Sequence, residues 1–140
     1  MITYEAILKK ITEKLKEITE NKVEVVAEDF SDSIIRPSFK VDIDSTASKF
    51  NTELIEREVT CRIYYFARDR TKYRLDNLQI QQKLEKAFCD KIEVEKGFFV
   101  FIEKLEYETS DTVLICSFEF KLLEETEKIP EEDMEEIKWL

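Results

Sequence analysis

The chain has 140 residues, 43% apolar and 39% charged, with a formal net charge of −10. That is enough apolar chain for one folded core, which argues against global disorder, and the negative balance argues against nonspecific binding to nucleic acid or anionic membrane. The charge is uneven: residues 124–140 hold eight acidic and two basic residues, or −6, leaving −4 for residues 1–123. A single domain is expected over 1–123, followed by an acidic C-terminal arm over 124–140.

Tyr4, Ile7, Leu8, Ile11, Leu15 and Ile18 share one stripe at helical spacing, with Thr3 as candidate N-cap and Asn21 as candidate stop. This stretch is charged throughout, so it predicts no signal peptide, and no apolar run reaches bilayer length. The run "KVEVVAE" (22–28) reads as a short strand. Phe39, Val41 and Ile43 then alternate with Lys40, Asp42 and Asp44, a strand beginning at Pro37 or lying at an edge. "STASKFNTE" (45–53) reads as a polar turn, with Phe50 at its tip as a candidate docking aromatic.

A long strand follows. Ile55, Val59, Cys61, Ile63 and Tyr65 take one face, and Glu56, Glu58, Thr60, Arg62, Tyr64 and Phe66 the other. From Thr71 to Asp90 the period becomes helical: Tyr73, Ile80, Leu84, Ala87 and Phe88 form the main stripe, and Leu75 and Leu78 point the opposite way. A short strand is placed before Gly97, the only glycine, which marks a bend. "FFVFIEKLEYE" (98–108) and "TVLICSFEFKLLE" (112–124) read as a hairpin around "TSD". The order α-β-β-β-α-(β)-β-β predicts an α+β fold, a mostly antiparallel sheet with two helices on one face.

The chain has no histidine, which removes Ser-His and Cys-His catalysis, imidazole bases and most zinc or iron sites. One glycine cannot build a phosphate-cradling loop. Cys61, Cys89 and Cys116 have no metal-site spacing and read as reduced thiols of a soluble, cytoplasmic protein. Carboxylates are the remaining route to catalysis. The element order is shared with the PD-(D/E)xK nucleases, whose Mg²⁺ site needs an acid on the second strand and ExK on the third. Asp42 or Asp44 could supply the first acid, but the third strand has no ExK, and the one at Glu119-Phe120-Lys121 lies on the last strand, in the wrong place. No enzyme activity, cofactor or metal is expected.

Three features point to assembly instead. Arg68, Arg70, Lys72 and Arg74 open the second helix, where positive charge opposes the helix dipole. They are either a solvated loop or a contact for an acidic surface such as the arm of another copy. The arm itself is either a solvated acidic helix or a docking segment that lays Ile129, Met134, Ile137, Trp139 and Leu140 on a neighbour. Finally, Tyr64 and Phe66, one set of residues from the 98–102 run, and Leu75 and Leu78 exceed what two helices can cover. Either the sheet folds over itself or another copy covers them.

"IIRPSFKVDI" (34–43), the strand ending "RIYYF" (62–66) and "YRLDNLQIQQKL" (73–84) resemble the phage tail terminator family. The likeness is to its small members from prophages and phage-tail-like particles of Gram-positive bacteria, and it covers roughly residues 1–123. The resemblance implies a non-enzymatic ring, typically a hexamer, that caps the tail tube, stops its polymerisation and joins it to a head connector or collar. A sheath, where present, would attach nearby. Such a ring would assemble in the host cytoplasm, become part of the particle, contact no membrane, and meet DNA only as it passes through the lumen. Six copies at −10 each would carry −60, and a negative lumen would let DNA slide. The candidate interface residues are Phe50, Tyr64, Phe66, Arg68, Arg70, Arg74, Leu75, Leu78, Met134, Ile137 and Trp139. A metal-dependent nuclease and a small cytoplasmic oligomeric adaptor are the alternatives.

Overall fold

The computed structural model describes residues 1–26 and 35–125. Its elements are α1 (Tyr4–Ile18), β1 (Glu24–Val26), β2 (Ser38–Phe50), β3 (Leu54–Phe66), α2 (Arg74–Phe88), β4 (Asp90–Glu95), β5 (Phe98–Ile102), β6 (Glu106–Ser110) and β7 (Val113–Glu125). This is the expected α+β order. A five-stranded sheet runs β1-β2-β3-β7-β6, antiparallel except for β1 against β2, and β4-β5 form a separate two-stranded sheet.

Both helices cover one face of the large sheet. Thr3 caps α1, its hydroxyl accepting from the Ala6 N–H at 3.1 Å, and Ile7, Ile11 and Leu15 are buried. Asn21 adopts φ 61° just past the helix, a backbone region asparagine tolerates, and donates back to the Lys16 carbonyl at 2.8 Å. On α2, Asn77, Ile80, Leu84 and Phe88 face inward, and Phe88 stacks on Phe118 of β7 at 5.4 Å. The sheet meets them with Phe39 and Val41 of β2, Val59, Cys61, Ile63 and Tyr65 of β3, and alternate residues Leu114–Leu122 of β7.

Two sequence expectations change. Residues 45–50 are not a turn: β2 continues through a bulge between Ser45 and Ala47 to Phe50, where it pairs with Ile55. The turn is confined to Asn51–Glu53, and the Asn51 side chain accepts from the Glu53 and Leu54 N–H groups. The run 98–108 is also not one strand. It breaks at Glu103–Leu105, so β5 pairs with β4 while β6 pairs with β7. Gly97, at φ +80°, makes the β4-β5 turn.

This arrangement resolves the "FFVFI" run. Val100 and Ile102 enter the core beside Ile92 and Val94 of β4, while Phe99 and Phe101 point away and are exposed. One face of that strand is dry within its own chain. The other is largely open, with Phe101 exposed and the Lys91 ammonium 4.8 Å from the Phe99 ring centroid.

Candidate assembly interface

The three stretches that carried the family resemblance meet at one corner of the fold. Phe39 packs on Tyr65 with ring centroids 5.1 Å apart, and the Tyr65 hydroxyl donates to the Asp76 carboxylate at 3.0 Å. Arg36 donates to the Ala67 carbonyl at 2.8 Å and lies over the Phe66 ring at 5.9 Å. The Ser38 hydroxyl donates to the Ile35 carbonyl at 2.5 Å, fixing the entry to β2. Burial and the Asp76 charge push the Tyr65 phenol well above its ordinary range, so it stays a proton donor. These residues lock the ends of β2 and β3 to the start of α2.

That corner removes one candidate from the surface. Phe66 lies on the sheet face opposite the helices but is buried within its own chain, with Arg36 over its ring. Tyr64, two residues earlier, is half-buried, with the Lys40 ammonium 5.7 Å from its ring centroid. The chain therefore covers part of that face itself, which periodicity alone could not reveal.

The other described candidates are open. Phe50, at the hairpin tip, is 73% exposed. On α2, Leu75 and Leu78 are 67% and 61% exposed, beside the exposed Arg68, Arg70 and Arg74. Arg70 reaches Asp111 only at 4.0 Å. Of the two sets offered by the 98–102 run, Phe99 and Phe101 are the outward one, and Leu123 is a further exposed apolar residue that the sequence reading did not single out. The pairing of β5 with β4 accompanies this choice of outward phenylalanines. Met134, Ile137 and Trp139 lie outside the described residues.

Beside Leu78 is a cleft of about 390 Å³ between α2 and the β6-β7 hairpin, lined by Tyr73, Arg74, Asn77, Leu78, Gln81, Thr109 and Leu114. Asn77 is 5% exposed, and its Nδ2 donates to the Thr112 carbonyl at 3.2 Å. The Asn77 Oδ1 and the Thr112 hydroxyl are buried without a hydrogen-bond partner among the described residues. Such orphans are uncommon and call for a physical reason.

No comparable grouping among the described residues serves metal chemistry. Asp44 is bound by Arg62 at 3.1 Å, Asp42 lies 3.9 Å from Lys40, and Glu119 is two strands away from Asp44 across Thr60. Among the described residues, no three Asp, Glu, Cys or His side chains gather where they could hold a metal ion. Cys61 and Cys116 are buried and Cys89 is exposed, all three as free thiols.

The decisive comparison is with family models. The model described as "Phage tail terminator protein" matches residues 6–132. The chain belongs to the phage tail terminator family. The match begins within α1, takes in α2 and the seven described strands of this terminator, and runs seven residues beyond β7, into the acidic segment. It identifies a structural protein of the phage tail, and no helix among its described residues is long and apolar enough to cross a membrane. No curated protein matches the chain.

Proposed function

We infer that this terminator forms a non-enzymatic ring, hexameric as the resemblance implies, that sits on the end of a tail tube and stops its growth. Its opposite side offers a surface to a head connector, collar or sheath, and DNA, where present, passes through a negatively charged lumen. Assembly takes place in the host cytoplasm. The observation that carries this reading is the placement of exposed apolar residues on different elements. Phe50 marks the β2-β3 tip, Phe101 the small sheet, and Leu75 and Leu78 the outer face of α2. A closed ring needs two different surfaces per protomer, and a tube cap needs a third.

The test is mass by light scattering together with negative-stain imaging, with and without tail tube. Rings with a central hole that bind tube ends are the expected result. A protein that stays monomeric at high concentration, even with tube present, would overturn the reading.

A further inference from the structure

We propose that the cleft between α2 and the β6-β7 hairpin, with its basic and apolar rim, is a socket for residues 126–140 of a second copy. The inference rests on the self-assembly reading, since it needs two copies in contact. It adds which surface receives which segment.

The socket combines apolar and cationic groups. Leu75 and Leu78 stand exposed on α2, with Arg74 at its first position and Arg68 and Arg70 in the segment leading into it. Three acids stand nearby: Asp69 accepts from the Thr71 hydroxyl and N–H at 2.7 and 2.8 Å, Asp76 of the first turn accepts from Tyr65, and Asp111 approaches Arg70 at 4.0 Å. Positive charge in the first turn of a helix is unfavourable unless an anion answers it. Asn77 lines the cleft, and its Oδ1 is a buried acceptor without a donor among the described residues.

Residues 126–140 have the complementary make-up. "TEKIPEEDMEEIKWL" carries six acids against two lysines, with Ile129, Met134, Ile137, Trp139 and Leu140 among them. Acids interleaved with large apolar residues match arginines interleaved with leucines, and aromatic anchors in apolar clefts commonly dominate such contacts.

Geometry selects another copy as the host. The segment leaves the fold after Glu125, at the end of β7, whereas the socket lies at its beginning, where Asn77 bonds Thr112 and Leu114 lines the cleft. A strand of 13 residues at roughly 3.3 Å each separates the two by about 40 Å. Met134, nine residues past Glu125, reaches at most about 30 Å with the chain fully extended. On its own subunit Met134 falls short, whereas Trp139, fourteen residues past Glu125, can span about 46–50 Å when extended and so could reach it. A contact that seats Met134, Ile137 and Trp139 together is open only between copies.

Trp139 is the only tryptophan, so its fluorescence reports this contact in the full-length protein. The measurement is its emission across a dilution series, for the wild type and for Leu78→Asp with Arg74→Glu, both at exposed positions. Circular dichroism checks that the variant folds. The expected result is a blue shift that grows with concentration, and a midpoint displaced at least about tenfold upward in the variant. A charge swap, Arg70→Glu and Arg74→Glu with Glu135→Lys and Glu136→Lys, should restore it. Red emission at every concentration overturns the proposal. So does a blue shift independent of concentration, which would place the segment on its own subunit, or one indifferent to the α2 substitutions. Rings that form normally while Trp139 ignores those substitutions would sink the socket and leave the ring standing. A monomer at all concentrations would sink both.

Discussion

Arg57 of β3 points inward, and its Nη2 donates to the Glu124 carboxylate of β7 at 2.5 Å and to the Ile2 carbonyl at 2.7 Å. The Ile2 N–H completes the circuit by donating to the same carboxylate at 3.0 Å, and the guanidinium lies 5.0 Å from the Tyr4 ring centroid. One ion pair, almost wholly withdrawn from water, thus joins the approach to α1 to the far ends of two long strands.

Removing one partner leaves the other charge buried alone. Arg57→Ala, or Glu124→Ala, is expected to destabilise the fold by about 3–5 kcal/mol, read from urea unfolding midpoints. The double replacement Arg57→Met with Glu124→Leu should recover most of that loss, because neither charge is then stranded. If the double variant is as unstable as the single ones, the clamp acts through something other than paired charge.

Gly97 tests backbone freedom without steric interference. It sits at φ +80°, and nothing lies within 4 Å of where a Cβ would be. Gly97→Ala should cost about 1–2 kcal/mol from the left-handed backbone alone. Gly97→Asn should lose less, since asparagine tolerates that region. Equal losses would point to a role for Gly97 beyond its φ angle.

The thiols should divide two to one. A colorimetric thiol reagent at neutral pH is expected to modify Cys89 quickly, and Cys61 and Cys116 only after denaturation. Burial pushes the Cys116 thiol up to about 12, so the folded state keeps a proton that the unfolded chain begins to release near pH 9. The associated stability is complete below about pH 9 and is lost as pH rises toward 12. Melting temperatures between pH 7 and 11 should therefore fall less steeply in Cys116→Ala than in wild type. Parallel slopes would show that other groups govern the alkaline limb.

Phe50 and Phe101 are exposed in the protomer, so Phe50→Ser and Phe101→Ser should change its melting temperature little. If the exposed apolar positions serve assembly, Phe50→Ser should weaken binding to tube ends, and Phe101→Ser should raise the concentration at which rings form. Sedimentation velocity and tube-end imaging read these separately. Wild-type behaviour from both variants would remove these two positions from the assembly surfaces.

Where apolar residues repeat with one period against one core, the sequence spoke plainly. The Ile7-Ile11-Leu15 stripe, the alternation along β2 and β3, and the inward face of α2 all stand where the pattern put them. Legibility failed where a strand leaves the core. Residues 45–50 are polar because this part of the hairpin is largely solvated on both faces, so a strand there looks like a turn. It failed again at Glu103–Leu105, where a change of sheet leaves the strand-like pattern intact. The inward Arg57 was missed because a charged residue on a strand reads as solvent-facing unless its partner, 67 residues away, is known. Of the candidate assembly surfaces, the exposed leucines of α2 and the arginines at and before its start were visible as misfits to local physics. The cleft between them and β6-β7 depends on a tertiary contact that no single segment encodes.

The strand order has a consequence for timing. β3 lies at the centre of the large sheet, and one of its two neighbours is β7, so Leu54 waits for Glu125 and Val59 for Phe120. The layer beneath both helices is completed by Leu114, Cys116, Phe118, Phe120 and Leu122, all contributed by β7. On the ribosome, α1 and the β2-β3 hairpin emerge early but have no closed core until β7 has been made. A nascent copy therefore cannot present its finished surfaces to any partner before β7 has been made, so a chain still on the ribosome is held out of assembly by its own strand order.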